Sequence, residues 1–336
     1  MKFSRIVFLI AFASAAVASW AAGPQDAYVG RWALTIPGGG AGWLGITEDG
    51  GYLDGSVLWG GGSVVPVDSV YMDGGTLVVT RVKEIERKDA EGNVVRKQRF
   101  TDTIRAKASG DDLSLELIHP KPDGSGVETA SFEGKRIPDL PPAPDLSKVK
   151  YGQPITLFNG KDLSGWRLTN PNQANGWSAE DGLLINEPVQ EEGKPHISYG
   201  NLRTEQEFED FNLTCEVNVP EKGNSGIYLR GIYEVQVEDS YGQPTDPHHM
   251  GGIYSRITPA TAEEKPAGEW QTYDITLCER HVTVILNGVT ILDNAPLEGC
   301  TGGALWSDEF RPGPIYLQGD HTGVKYRNIV LKPIVE

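Results

Sequence analysis

The sequence predicts an all-β protein, with a C-terminal jelly-roll β-sandwich preceded by a smaller antiparallel β barrel or sandwich domain. The chain has 336 residues, and its 41 glycines and 22 prolines are spread along it in turn-like clusters. Between these clusters apolar and polar side chains alternate with a period of two, whereas helical periodicity is poor. Many short strands without helices must bury one face of each sheet against another, which favours two packed sheets.

The first 22 residues have the form of a secretory signal peptide. Lys2 and Arg5 precede the apolar run 6–17, and small residues follow near Ala22. This run is too short to cross about 30 Å of hydrocarbon, and no later segment has enough consecutive apolar residues. We therefore expect a periplasmic or secreted protein without a membrane span.

A proline-rich segment predicts the domain boundary. Residues 138–154 contain five prolines, which disfavour helix and sheet interior and favour an extended linker. Residues 26–137 then form the first domain and residues 155–335 the second. Alternation predicts strands in the first domain at 52–58, 76–82, 100–106 and 113–118. In the second domain it predicts strands at 211–219, 226–230, 233–239, 282–286, 289–292, 313–318 and 324–331, with a type I′ turn at Asn287-Gly288.

Charge and cysteine content restrict the possible partners. Acidic residues outnumber basic ones by 46 to 30, so the surface repels phosphate backbones and anionic membranes, whereas a neutral sugar remains compatible. The three cysteines lack a metal-ligand spacing. Cys215 lies in an alternating apolar strand and is expected to be buried. If a disulfide forms, we expect it to join Cys278 and Cys300.

The most informative segment is the predicted strand 233–239. Val235 and Val237 face one side, and Glu234, Gln236 and Glu238 face the other. Such a pattern also suits an ordinary solvent-facing strand. Other polar side chains, however, fall in segments that antiparallel folding can bring to the same surface, namely Arg230, Tyr254, Lys265, Trp270, Gln271 and His321.

The second half resembles the 3-keto-disaccharide hydrolase domain family from about residue 155 to residue 334. The resemblance rests on several motifs in one order, including FNGKDLSGW (158–166), NSGIYLRGIYEVQVEDSYG (224–242), KPAGEWQTYDI (265–275) and the ending GPIYLQGDHTGVKYRNIVLKPI. It implies a concanavalin-like jelly roll that acts on glycosides already oxidised at C3.

Such a substrate explains why both acids and bases are needed. The C3 ketone acidifies the C2 hydrogen, so a base can remove it and the C1 group can leave before water adds. We expect acid–base roles for Glu234, Asp239 and one of His249 or His321. Arg230 or Lys265 is expected to stabilise the enolate. The remaining substrate-binding candidates are Gln236, Tyr254, Trp270 and Gln271.

Three alternatives remain open from the sequence. A divalent cation, held near His248, His249, Asp246 and Asp239, is possible as a Lewis acid. The spacing of Glu234, Gln236 and Asp239 also resembles that of laminarinase-type glycosidases, which cleave unoxidised glucan. A carbohydrate-binding module is the non-enzymatic alternative. The first domain is then a candidate for docking to polysaccharide or to another envelope protein.

Overall fold

The computed structural model describes residues 23–191 and 193–335. The predicted signal peptide, residues 1–22, lies outside the described residues. Within the described part the regular secondary structure is β-strand, and no helix there is long and apolar enough to cross a membrane. The all-β prediction is confirmed.

The first domain is one antiparallel nine-stranded sheet. Its strands are β1 (Gly30–Thr35), β2 (Gly42–Asp49), β3 (Tyr52–Trp59), β4 (Val65–Pro66), β5 (Ser69–Asp73), β6 (Thr76–Lys88), β7 (Val94–Ser109), β8 (Asp112–Pro120) and β9 (Val127–Ile137). They follow the order β4-β3-β2-β1-β9-β8-β7-β6-β5. The sheet curls so that β5 returns to contact β3, and it encloses a core of its own around Trp32, Leu44 and Leu77.

The second domain contains the remaining fourteen described strands. They are β10 (Lys150–Tyr151), β11 (Ile155–Thr156), β12 (Trp166–Leu168), β13 (Trp177–Glu180), β14 (Leu183–Asn186), β15 (Leu202–Thr204), β16 (Phe211–Asn218), β17 (Asn224–Leu229), β18 (Tyr233–Glu238), β19 (Trp270–Cys278), β20 (His281–Leu286), β21 (Val289–Pro296), β22 (Tyr316–Leu317) and β23 (Val324–Val335).

These strands form two packed antiparallel sheets. The larger sheet has the order β13-β14-β23-β16-β19-β20-β21, with β10 and β11 also pairing with β23. The smaller sheet has the order β12-β15-β22-β17-β18. Side chains of both sheets, such as Val217 and Tyr273 from the larger and Ile227 and Val235 from the smaller, share one apolar cluster. The predicted jelly-roll sandwich is therefore present.

The hairpin between β20 and β21 shows how local sequence fixes strand register. Asn287 and Gly288 have φ angles of 52° and 88°, the left-handed conformations that a type I′ turn requires. Leu286 therefore pairs directly with Val289, as the Asn-Gly signal predicts. Asn287 also donates through Nδ2 to the Glu263 carbonyl at 2.8 Å, which ties the turn to the preceding loop.

The proline-rich segment lies along the second domain. The Pro138 carbonyl accepts a hydrogen bond from Arg280 at 3.1 Å, and the Pro144 carbonyl accepts one from Asn294 at 2.8 Å. Further along, β10 pairs with the end of β23. The segment contains no helix, as its prolines require, and two of its carbonyls are bound to side chains of the second domain.

The two domains share part of one hydrophobic core. On β2 the side chain of Leu44 faces the core of the first domain, whereas Trp43 belongs to the apolar cluster of the second. Leu58 on β3 joins Trp43 there, and the guanidinium of Arg256 lies 4.5 Å from the Trp43 ring. Because β2 is buried on both faces, it does not show the apolar–polar alternation of a half-exposed strand.

The prediction of a disulfide between Cys278 and Cys300 is wrong. Both residues are buried free thiols, as is Cys215. Cys278 is the last residue of β19, where it pairs with His281 of β20, whereas Cys300 lies in the loop that Arg256 binds through the Cys300 carbonyl. Burial raises the pKa of Cys278 to about 11 and that of Cys300 to about 12, so both thiols stay protonated and unreactive.

The shared core predicts that the two domains unfold together. Circular dichroism and tryptophan fluorescence should report one coincident transition for the wild-type chain. Trp43→Ala should remove about 3–5 kcal/mol of packing and separate the transition into two. Tyr52→Ala is the matched control on the same sheet, because Tyr52 is 81% exposed. Two separate transitions in the wild-type chain would contradict the shared core.

Candidate active site

The face of the smaller sheet that points away from the apolar cluster carries a row of polar and aromatic side chains. Glu234 on β18 is opposite Tyr228 on β17, which is opposite Tyr316 on β22. A bridge between Val235 and Ile253 adds the segment around Tyr254 beside β18. We call this surface the polar face, and it comprises Tyr228, Glu234, Gln236, Tyr254, Tyr316 and Gln318.

Strand alternation separates the polar face from the core. The inward neighbours Ile227, Val235 and Leu317 are fully or almost fully buried in the apolar cluster between the sheets. Successive strand residues point to opposite faces, so burying these three forces their neighbours onto the polar face. Gly226, opposite Gln236, leaves space there, because a Cβ at this position would collide with the Glu234 carboxylate.

Glu234 is a buried carboxyl in the centre of the row. Its side chain is almost inaccessible, and its Oε2 accepts a hydrogen bond from the Tyr228 hydroxyl at 2.6 Å. Burial raises the pKa of Glu234 to about 7, although the Tyr228 hydrogen bond and the nearby charge of His321 act in the opposite direction. Near neutral pH both its protonated and ionised forms are populated, as a proton-transfer group requires.

Two stacked tyrosines hold this carboxyl in place. The Tyr228 and Tyr316 rings lie 3.8 Å apart with an interplanar angle of 11°. The Tyr316 hydroxyl donates to the Gly303 carbonyl at 2.6 Å. Burial raises the pKa of both phenols well above the usual range, so each remains a protonated donor. The backbone N–H of Glu234 donates to Thr301 Oγ1 at 3.0 Å, which fixes the strand as well.

A histidine–aspartate pair lies beside the polar face. His321 follows β22, and its Nδ1 lies 2.8 Å from Asp320 Oδ1. The Asp320 hydrogen bond raises the pKa of His321 and outweighs the opposing effect of its partial burial. The charges of His321 and Glu234 influence each other's pKa, which places the two groups in one electrostatic environment. The imidazole is about half exposed, so it is accessible from solvent.

Several polar atoms on or beside this face have no protein partner. The Oε1 atoms of Gln236 and Gln318 and the Oε2 atom of Glu238 are buried without a hydrogen bond. Burial raises the pKa of Glu238, with His249 and His248 acting against it. Buried polar atoms are rarely left unpaired, so these atoms are candidates for binding the hydroxyl groups of a ligand.

The histidines in the loop after β18 are held by protein atoms. His248 Nδ1 lies 2.7 Å from Asp246 Oδ1, and His249 Nδ1 lies 2.7 Å from the Pro244 carbonyl. Within residues 23–191 and 193–335, no group of three or more histidine, cysteine, aspartate or glutamate side chains is placed to hold a metal ion. The cation considered from the sequence therefore has no evident ligand set in the described residues.

Arg230 does not reach the polar face, contrary to the expectation that antiparallel folding brings its segment there. Its φ angle of 53° ends β17 at Leu229, so the alternation does not continue to this residue. The guanidinium instead donates to the carbonyls of Glu309 and Arg311 at 2.7 and 2.6 Å. Arg230 thus anchors a loop in the structure.

Four further candidates also point elsewhere. The Asp239 carboxylate accepts from the Lys222 N–H at 2.8 Å and closes a turn. Gln271 is fully buried and binds the backbone of Lys265. The exposed Lys265 ammonium donates to the Trp270 carbonyl, and Trp270 stacks with Arg327 on the outer surface of the larger sheet. Gln271, Lys265 and Trp270 therefore lie on or beside β19 of the larger sheet, away from Glu234. Asp239 follows β18 itself, but its carboxylate is held in the turn contact with Lys222.

The sequence predicted a common surface for Glu234, Gln236 and Tyr254, and the structure brings these three side chains together. His321 lies beside them, and His249 lies near Glu238. The sequence-based prediction did not include Tyr228, Tyr316, Gln318 and Asp320. Tyr228 had a usable signal, because it alternates with Gly226 on a strand already predicted. Tyr316 and Gln318 had none, because their approach depends on pairing between strands about 90 residues apart.

A cavity of about 1070 Å³ lies elsewhere, between the two domains. It is lined by parts of β1, β8 and β9 and by residues 305–308 and 310. Its carboxylates, such as Asp111, Asp112 and Glu133, are exposed side chains. We place the candidate active site on the polar face, because a buried carboxyl with a strongly shifted pKa is a better indicator of chemistry than volume.

Fold and site together define a jelly-roll β-sandwich, an architecture shared with lectins, that carries an ionisable centre on the polar face of one sheet. Residues 153–332 match the model of the 3-keto-alpha-glucoside-1,2-lyase-like domain family. The chain belongs to this family.

Individual relatives are more distant. A 3-keto-disaccharide hydrolase of Bacteroides thetaiotaomicron is 27% identical over 167 residues, covering 41% of this chain and 57% of that protein. The chain thus spans little more than half of this curated relative. The crystal structure of a candidate glycosyl hydrolase from Parabacteroides distasonis is 30% identical, with a TM-score of 0.46 and coverage of 59% and 94% of the two chains. A carbohydrate-binding module, CBM66 of Bacillus subtilis, is 11% identical, with a TM-score of 0.30 and coverage of 51% and 95%.

The raised pKa of Glu234 predicts how stability depends on pH. A carboxyl whose pKa is higher in the folded state stabilises the fold below its unfolded pKa, and this stabilisation is lost as pH rises through about 7. The free energy of unfolding, relative to Glu234→Gln, should therefore fall by up to about 3 kcal/mol between pH 4.5 and pH 8. Urea titrations of both proteins measure this difference. A pH-independent difference would show that Glu234 is not a buried titrating group.

Proposed function

We propose that the protein cleaves the glycosidic bond of 3-keto-disaccharides or 3-keto-glucosides by elimination followed by addition of water. The observation that carries the proposal is the buried Glu234 carboxyl, whose pKa is about 7, beside the His321–Asp320 pair. Family membership supports the substrate class, and the curated relative is a 3-keto-disaccharide hydrolase.

Glu234 is the proposed base. Its carboxylate takes the proton from C2 of the oxidised sugar, which the C3 ketone has made acidic, and the C2–H electron pair forms the enolate. Burial makes the ionised carboxylate less stable, so it accepts a proton more readily than an exposed glutamate. The Tyr228 hydroxyl keeps Oε2 in a fixed position, which leaves Oε1 for the substrate.

His321 is the proposed acid. As the enolate re-forms the ketone, a C1–C2 double bond develops, the bond from C1 to the glycosidic oxygen breaks, and the imidazolium protonates that oxygen. Asp320 favours the protonated imidazole by accepting its Nδ1–H, which leaves Nε2–H to donate. Water then adds its hydroxyl to C1 and its proton to C2, so the product is the free 3-keto-sugar.

Neutral donors replace the cation that the sequence suggested for the enolate. Arg230 and Lys265 are directed elsewhere, whereas the side-chain amides of Gln236 and Gln318 lie on the polar face with unpaired oxygens. Amides can both donate to the C3 oxygen and accept from sugar hydroxyl groups. Such a set suits an uncharged ligand, which agrees with the acidic surface of the chain.

A retaining glycosidase on unoxidised glucan is less well supported. That mechanism needs two carboxyl groups about 5–5.5 Å apart. Asp239 is turned away into a loop contact, and the other carboxyl on β18, Glu238, is four residues from Glu234. Four residues of extended strand span about 13 Å. We therefore favour elimination, with the glucan-cleaving enzyme and the carbohydrate-binding module as outcomes of the test.

Glu234→Gln should reduce turnover of a 3-keto-glucoside or 3-keto-disaccharide by about 100-fold or more, because the amide cannot accept the C2 proton. Product release is measured with matched oxidised and unoxidised disaccharides, and proton exchange at C2 is followed in deuterated water. Lys265→Ala is the control, since its exposed ammonium lies on the larger sheet and activity should change less than about twofold.

Each result separates the candidate functions. Release from the 3-keto sugar with C2 exchange supports elimination. Release from the unoxidised sugar alone would indicate the glucan-cleaving alternative, and binding without release would indicate a carbohydrate-binding module. Full activity of Glu234→Gln would remove this carboxyl from the mechanism.

We also propose that the chain is exported to the periplasm or beyond, on the basis of its N-terminal sequence. Cell fractionation followed by N-terminal sequencing should recover a mature protein that begins close to Gly23. Recovery of an unprocessed chain from the cytoplasm would contradict this proposal.

A further inference from the structure

A glycine-rich turn of the first domain reaches the second domain close to the polar face. The turn comprises residues 60–64, between β3 and β4. The Val64 N–H donates to Ser255 Oγ at 2.8 Å, and Ser63 Oγ lies 2.9 Å from His248 Nε2. The backbone of Gly62 also packs so tightly against Gly302 that a Cβ at position 302 would collide with it. The turn therefore contacts two separate loops.

Both loops are also in contact with the strand that carries Glu234. In the first, the His248 ring meets the Tyr254 ring edge to face at 4.8 Å, and the Tyr254 N–H donates to the Glu234 carbonyl at 3.1 Å. In the second, Thr301 accepts the hydrogen bond from the Glu234 N–H, and Gly303 packs against the Tyr228 hydroxyl. Residues of these two loops thus connect the turn to the backbone of Glu234.

The hydrogen bonds of His248 determine how Ser63 is presented. Because Asp246 Oδ1 faces Nδ1, the proton lies on Nδ1, and in the neutral ring Nε2 accepts from the Ser63 hydroxyl. The Gly61 and Gly62 backbones are exposed, and the His248 side chain is 41% exposed. The Ser63 hydroxyl, the His248 imidazole and the Tyr254 phenol therefore form one solvent-facing surface together with the peptide groups of the turn. We call this surface the wall.

Such a wall has the chemistry of a sugar subsite. It presents uncharged donors and acceptors together with an aromatic ring, and no cationic side chain of lysine or arginine takes part in the contacts described above. A second sugar bound through C1 of the oxidised ring is the ligand whose hydroxyl groups would meet these side chains.

We propose that the turn 60–64 of the first domain forms one wall of the substrate site and selects the sugar that leaves from C1. This inference rests on the proposed function for the nature of the substrate. It gives the first domain a direct part in recognition through Ser63 and its partner His248, and it makes the second domain alone an incomplete enzyme for disaccharides.

The test compares two substrates that differ only in the leaving group, a 3-keto-disaccharide and the matching methyl 3-keto-glucoside. Ser63→Trp should fill the space beside His248 and raise KM for the disaccharide by about tenfold or more, the equivalent of one or two lost hydrogen bonds. KM for the methyl glycoside should change less than about threefold, because its leaving group does not reach the wall. Ser125→Trp, in an exposed turn of the same domain, is the control and should change neither value.

Equal changes for both substrates, or no change for either, would overturn the inference. Ser63→Ala, which removes the hydrogen bond without adding bulk, should show the same selectivity to a smaller extent and guards against misfolding of the tryptophan variant. Calorimetric titration of the 3-keto-disaccharide into Glu234→Gln, with and without Ser63→Trp, separates this inference from the proposed function. Weaker binding in the double variant supports the wall even if the wild-type chain cleaves nothing. No binding to either protein would overturn it.

Discussion

The hydrogen bond from the Tyr228 hydroxyl to the Glu234 carboxylate is the interaction on which the candidate site depends. A buried carboxyl without a partner is costly, and here the partner is a phenol whose own pKa is raised by burial. Tyr228 therefore donates and does not surrender its proton. The stacked ring of Tyr316 restricts Tyr228 in turn, so the position of the carboxyl is set by three neighbouring strands.

The same constraint explains why this region of the chain combines glycine with large aromatic residues. Gly226 leaves the space that the Glu234 carboxylate occupies, and Gly303 allows the loop after β21 to pass over the Tyr228 hydroxyl. A larger residue at either position would displace the group it faces. The Glu234 carboxyl is therefore held by close backbone approach as well as by hydrogen bonds.

The arrangement of the domains has a comparable physical basis. Residues on both faces of β2 are buried, with Leu44 in one core and Trp43 in the other, so the first domain cannot separate without exposing apolar surface. The glycine-rich turn 60–64 follows β3, the strand next to β2, and this packing brings the turn to the loops around Glu234. A packed junction of this kind fixes the position of the turn beside these loops, whereas a flexible linker could not.

The sequence by itself determined the all-β class, the Asn287-Gly288 hairpin and the face of β18 that carries Glu234, because turn chemistry and two-residue alternation are local properties. Family motifs in one order were also enough to indicate the family. Only the tertiary structure decided which distant groups meet Glu234. Arg230 leaves the face because one left-handed residue ends its strand, and Lys265 and Trp270 lie on the side of the larger sheet. Tyr316, in contrast, arrives through strand pairing across many residues, and the loop after its strand carries His321. Such long-range pairing depends on how the whole apolar core packs, which a local pattern does not specify.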